Sequence, residues 1–164
     1  FWPIHYHLIE SSLNGRYPRH LYEGNEPFTI DHPLGAALMT RAQVLDEIGL
    51  LDEGYFMYCE EIDWCMRAHR AGHKIVCVPT AHITHLGGQS ASQFRDKMFV
   101  ALWRSRFRLF EKHYSGLYRR LVRIIVRAGL RRDIRRVQRS LLAAEITSDE
   151  AKSRIDAYQQ VMEM

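Results

Sequence analysis

An α/β domain followed by amphipathic helices is the fold class this sequence predicts, and three observations predict it. Short apolar runs of strand length, such as Lys74-Ile75-Val76-Cys77-Val78, alternate with helical periodicities in the first 90 residues. Residues 99–114 carry aromatic side chains at helical spacing, and residues 117–139 wind apolar and arginine side chains around a helix. The 164 residues suit one domain with a tail, and 46% are apolar, which is enough for a core and excludes a disordered chain.

Residues 1–34 are rich in His, Tyr, Pro and Asn and show no clear period, so irregular connections with one or two short strands are expected. A short strand is expected through Gly35–Met39. Thr40 then opens a helix, with Gln43 completing a capping-box pattern and Val44, Leu45 and Ile48 as its apolar face. Gly49 is its left-handed stop. Leu50–Gly54 reads as a loop and Tyr55–Tyr58 as a compact aromatic segment. A second helix runs from near Glu60 to Ala71, with Ile62, Cys65 and Met66 inward and Trp64 beside them. Asp63 and Arg67 are four apart and pair on one face. Gly72 ends this helix. Lys74–Val78 reads as a buried strand stopped by Pro79, Ala81–His85 as a second strand, and Leu86-Gly87-Gly88 as a turn. Ser90 and Gln93 form a further capping box before a helix striped by Phe99, Trp103, Phe107, Phe110 and Tyr114. Ser115-Gly116 breaks it. The last segment reads as two short helices, with Thr147 to Glu150 as a cap. Three segments result: 1–90, 91–139 and 140–164.

Charge divides along the same lines. Residues 1–90 hold 6 Lys and Arg against 11 Asp and Glu, residues 91–139 hold 15 against 3, and residues 140–164 hold 2 against 5. The basic block calls for an anionic partner. Cys59, Cys65 and Cys77 make no C-x-x-C pair, so no disulfide framework is expected and a reducing cytosolic setting fits. No apolar run is long enough to span a membrane. The start at Phe1-Trp2-Pro3, without Met or signal architecture, is expected to be internal to a longer chain, with a processed N-terminus as the alternative.

The chemistry concentrates in Phe56-Met57-Tyr58-Cys59-Glu60-Glu61-Ile62-Asp63-Trp64-Cys65-Met66-Arg67. Acids at a helix start complement the macrodipole and cap free N–H groups, and this plain reading needs no substrate. The same placement keeps a carboxylate ionised, which suits a general base. The surrounding order of motifs favours the second reading. Gly35-Ala36, the helix after Thr40, Gly49-Leu50-Leu51-Asp52-Glu53, Tyr55–Tyr58, Glu60-Glu61-x-Asp63-Trp64-Cys65-x-Arg67, Ala71-Gly72 and Val78-Pro79-x-Ala81-x-x-x-His85 follow one another. This succession, over residues 31 to 114, resembles the second half of bacterial family 2 glycosyltransferases, in particular the rhamnosyltransferase-like group.

The resemblance implies a partial GT-A (Rossmann-like) domain: 1–90 as its acceptor-side half, without the N-terminal nucleotide-binding half, followed by the basic extension 91–139 and C-terminal helices 140–164. It implies that Glu61, at the second position of the acidic doublet, is the catalytic base, with Glu60 as the fallback. The family more often carries Asp at that position, so Glu61 places the acceptor hydroxyl about one methylene further out. Asp63 and Arg67 become a supporting ion pair, and Asp31, Gly35, Ala36 and Trp64 the candidate substrate-binding residues. His85 matches a position that ligates a divalent metal, Mg2+ or Mn2+; the alternative is a strand-end histidine bonding backbone. The family's Asp-x-Asp motif is absent from these residues and lies upstream in relatives. The expectation is therefore an inverting transfer from a nucleotide-diphosphate sugar to a saccharide or polyprenyl-linked acceptor in cell-surface polysaccharide assembly, with this piece inactive alone.

Leu117, Leu121, Ile124, Ile125 and Ala128 share one helix face, ringed by Arg119, Arg120, Arg123, Arg127, Arg131 and Arg132. Such a helix suits an anionic membrane surface at residues 117–139, and a peripheral site at the inner face of the cytoplasmic membrane. A solvated helix packed on the domain is the other reading. A non-catalytic membrane- or polyanion-binding module is the rival function. No nucleic-acid-binding signature accompanies the arginines, so no nucleic-acid partner is expected.

Overall fold

The computed structural model describes residues 17–86 and 94–164. Among these the elements run α1 (Arg19–Glu23), β1 (Phe28–Ile30), α2 (Ala42–Ile48), α3 (Glu60–Arg70), β2 (Ile75–Cys77), α4 (Arg95–His113), α5 (Gly116–Leu142) and α6 (Ser148–Glu163). The described chain is thus mostly helical with one small sheet. It divides into two compact units: the described residues up to Leu51 with Glu61–His85, and Asp52–Glu60 with the C-terminal helices.

In the first unit β1 and β2 pair antiparallel, with Phe28 opposite Cys77, Thr29 opposite Val76 and Ile30 opposite Ile75. Ile30 and Ile75 are buried partners and form one core with Trp64, Cys65 and Ala68 of α3. Val44, Leu45 and Ile48 of α2 close over it, as their spacing predicts. Val76 faces outward and is half exposed, so the strand is Ile75–Cys77 and half covered where a buried one over Lys74–Val78 is predicted.

Three local expectations in this unit give way. Gly35–Met39 is a turn, closed by the Ala37 N–H on the Leu34 carbonyl at 3.3 Å. The stretch makes no ladder with β1 or β2, whose pairing is the one sheet among the described residues. Helix α2 begins at Ala42 with Arg41 at its N-cap and no side-chain cap bond, so Thr40 and Gln43 do not form the capping box. Residues 81–86 have no regular structure, so the second strand through His85 is not formed. The Ser90–Gln93 box and the Gly87-Gly88 part of the turn lie outside the described residues.

The end of α3 follows the prediction closely. Gly72 adopts φ +87, its N–H reaches the His69 carbonyl at 3.0 Å, and the His73 N–H reaches back to Ala68 at 3.0 Å. That pair of bonds is a Schellman stop, and the left-handed residue it needs is glycine.

The C-terminal end of α2 is held from the side by α3. Gly49 turns the chain at φ +79, leaving the last carbonyls of α2 without intrahelical donors. Arg67 donates to the Ile48 carbonyl and, at 2.7 Å, to the Leu50 carbonyl. The Trp64 indole N–H donates to the Gly49 carbonyl at 2.9 Å. Arg67 is oriented by Asp63, whose fully buried carboxylate accepts from Nε at 3.0 Å. The expected Asp63–Arg67 pair is therefore present, and Asp63 is more buried than Ile62 or Met66 on the same helix. The apolar stripe predicted for α3 misses this because a carboxylate enters a core only with its partner.

In the second unit α4, α5 and α6 pack around Val100, Val126, Leu130, Ala157 and Val161. The aromatic stripe of α4 forms as predicted. Successive rings touch from Phe99 through Trp103, Phe107 and Phe110 to Tyr114, at centroid distances of 5.6 to 6.5 Å. Ser115 breaks the helix and caps the next, its Oγ accepting from the Tyr118 N–H at 3.3 Å. Thr147 and Glu150 form the reciprocal capping box, and one helix follows where two short ones are predicted.

The Tyr55–Tyr58 segment is fastened to α4. Ser105 Oγ donates to the Met57 carbonyl at 2.6 Å. Asp52 accepts from Lys112 at 2.7 Å, from Arg108 at 3.0 Å and from the Gly54 N–H at 2.8 Å. The Lys112 ammonium, then the Gly54 N–H, then Arg108 hold the Asp52 carboxyl well below its ordinary range. Both cations also lie over the Tyr55 ring.

Replacing Arg67 with Ala removes its bond to buried Asp63 and two carbonyl caps together. Breaking a buried pair costs about 3 kcal/mol, so amide exchange in α2 and α3 should accelerate by about two orders of magnitude. Unchanged protection there would contradict the clamp.

Candidate functional site

The acidic doublet stands at the first two positions of α3. The chain reaches it through Tyr58 and Cys59, at φ +68 and +67. Two consecutive non-glycine residues in the left-handed region cost about 1–2 kcal/mol each. Strain of this kind persists where surrounding structure imposes it, and it clusters at functional sites. Nothing in the sequence marks it, because neither residue type favours that conformation.

Glu61 lies against Gly35. A Cβ built on Gly35 would stand 3.5 Å from Cδ and Cγ of Glu61 and 3.6 Å from its Cβ. The turn that replaced the predicted strand therefore brings an exposed glycine over the candidate base. The Oε2 atoms of Glu60 and Glu61 are buried, and among the described residues neither has a hydrogen-bond partner. An unsatisfied buried acceptor costs about 1–3 kcal/mol. Beneath Glu61, the Cys65 thiol is pushed up to about 11, chiefly by burial and then by the Glu61 charge, so it stays protonated at neutral pH.

The remaining candidates fall in different places. Ala36 is exposed in the same turn as Gly35. Asp31 is exposed just after β1, its N–H bonded to Tyr17 Oη at 2.6 Å and its carbonyl to His69 Nε2 at 3.0 Å. Trp64 is only 4% exposed, with its indole N–H engaged by the Gly49 carbonyl. It fills the core behind the doublet. Asp63 and Arg67 tie α3 to α2.

His85 is exposed in the irregular segment before the undescribed residues. Among the described residues no group of three or more His, Cys, Asp or Glu is placed to hold a metal ion. A single exposed imidazole does not retain Mg2+ or Mn2+, which take several oxygen ligands. The described residues do not fit a metal centre by themselves.

No family profile matches the chain, and no solved structure does. Curated sequences do match. Rhamnosyltransferase WbbL of Escherichia coli K12 is 34% identical over 79 residues, 48% of this chain and 30% of that protein. Over about half its length, this chain is a distant homologue of family 2 rhamnosyltransferases and hexosyltransferases. An N-acetylglucosaminyl-diphospho-decaprenol L-rhamnosyltransferase of Mycobacterium tuberculosis is 30% identical over 114 residues, 62% of this chain and 37% of that one. The low-salt glycan biosynthesis hexosyltransferase Agl10 of Haloferax volcanii is 34% identical over 79 residues, 48% of this chain and 26% of its own length. This glycosyltransferase homologue spans about a third of the length of the curated relatives it matches.

Titration of the chain alone with Mn2+ should give the same weak, nonspecific uptake for the wild type and for His85→Ala. A stoichiometric site lost in the variant would contradict this expectation.

Proposed function

We propose that this chain is the acceptor-side part of an inverting glycosyltransferase. It would move a hexosyl group from a nucleotide-diphosphate sugar to a saccharide or lipid-linked acceptor in glycan assembly. The reading rests on one observation above the rest: the Glu61 side chain lies along exposed Gly35, with a buried carboxylate oxygen that no described group satisfies. An acceptor hydroxyl that reaches this carboxylate past Gly35 and donates to it would offset the desolvation cost and supply the hydrogen bond a general base requires.

Glu61 takes the hydroxyl proton as the acceptor oxygen bonds to the anomeric carbon. The bond from that carbon to the diphosphate oxygen breaks on the opposite face, and configuration inverts in one displacement. The proton stays on Glu61, and the nucleotide diphosphate leaves with the electron pair. The absence of a Cβ at Gly35 gives the longer glutamate room beside the turn. The Arg67 clamp fixes α3 itself. Trp64 supports the doublet from the core without touching sugar. The relatives' names support the transfer class, since each names a sugar transferase. His85 is kept as a contact to a divalent cation whose other ligands come from outside the described residues, and no step here depends on it.

The test is kinetic, on this chain joined to the nucleotide-binding half of one of the matched transferases. Glu61→Gln should lower kcat by about 10²–10⁴ with little change in acceptor KM. Glu61→Asp, which keeps the base, should retain part of the activity. Unchanged turnover in Glu61→Gln contradicts the assignment, and a larger loss in Glu60→Gln moves the role to Glu60.

A further inference from the structure

Helix α5 buries only one of its sides. Val126, Leu130 and Val137 are buried, and at 100° per residue they fall within one narrow sector. The opposite sector begins with Leu117, Leu121, Ile124 and Ile125, which are 69%, 51%, 64% and 63% exposed. Ala128 continues it. Past that point the same sector carries Arg131, Arg132, Arg135 and Arg139, all exposed. The only acid in the helix, Asp133, lies on the buried side, 3.8 Å from Arg136.

We infer that this outward face of α5 lies flat on an anionic lipid surface, with the Leu117–Ala128 half in the acyl boundary and the arginine half among the headgroups. The apolar half is about 18 Å long at 1.5 Å per residue, which suits a helix lying in the interface plane. No helix among the described residues is long and apolar enough to cross a membrane, so the contact is one of surface insertion. Arginine stems reach past apolar atoms to place their guanidinium groups at phosphates. Charge complementarity selects the occupant. Four arginines with no acid on their side of the helix require an anionic layer, and the bulky aliphatic half requires that layer to have an apolar interior. Nucleic acid meets the first requirement and not the second. A second copy of this chain, paired antiparallel along the whole face, would set each arginine row against the other's leucines and isoleucines. The inference is independent of the transfer reading; either can fail alone.

The experiment is co-sedimentation of the 164-residue chain with vesicles of phosphatidylcholine alone and of phosphatidylcholine with phosphatidylglycerol. Binding should require phosphatidylglycerol and weaken with salt. Ile124→Gln with Ile125→Gln should lower partitioning by about tenfold. Arg131→Gln, Arg132→Gln and Arg135→Gln together should lower it by about a hundredfold at low salt. All five positions are exposed, so helix content by circular dichroism should not change. Equal binding to both vesicle types, or variants that bind like the wild type, would overturn the inference. So would duplex DNA binding without vesicle binding. Concentration-dependent dimers abolished by the Ile124 and Ile125 changes, with no lipid binding, would reassign the face to self-association.

Discussion

The three side-chain caps on the end of α2 are the constraint on which the first unit depends. Gly49 stops α2 abruptly, and the Ile48, Gly49 and Leu50 carbonyls are then left to side chains of α3. Arg67 takes two and Trp64 takes one. Together they fix the axial position of α3 against α2, and Asp63 fixes Arg67. A buried carboxylate is tolerated here because its partner and its geometry are supplied by the same helix turn. The apolar surface of Trp64, Cys65 and Ala68 then closes on Ile30 and Ile75.

That clamp works on the middle of α3, while the chemistry proposed for the protein sits at its first two residues. In sequence order, the helix holds the doublet proposed for the chemistry, Glu60 and Glu61, and then the attachment by Asp63, Trp64 and Arg67. Rigid attachment matters because a base displaced by about 1 Å loses much of its effect. The left-handed Tyr58 and Cys59 add strain at the mouth of the helix. Asp52, with Lys112 and Arg108, pins the segment that carries them to α4.

Much of this was legible where the signal is local. The bounds of α3, its Asp63–Arg67 spacing, the glycine stop at Gly72, the ring stripe of α4 and the Thr147–Glu150 box all lie within a few residues of one another. They form as their spacing predicts. The failures share a tertiary cause. Gly35–Met39 has strand-like composition, yet the chain turns there and sets Gly35 against Glu61. Thr40 has the chemistry of a cap, yet α2 starts after Arg41. Helix α5 is not among them: the stripe from Leu117 to Ala128 stays exposed, as a membrane-facing stripe requires, and packing uses Val126, Leu130 and Val137 on the other side. Motif order in the sequence named Gly35 and Glu61 separately. Their contact spans 26 positions, and only the folded chain displays it.

Glu61 facing Gly35 is the geometry on which the transfer chemistry rests, and backbone NMR of the chain as it stands reads it most directly. Replacing the Glu61 carboxylate with an amide should move the Gly35 and Ala36 amide resonances as strongly as those of its own helix turn, and leave Thr29 and Val76 in the sheet unmoved. Shifts confined to α3, with Gly35 and Ala36 unchanged, would contradict it.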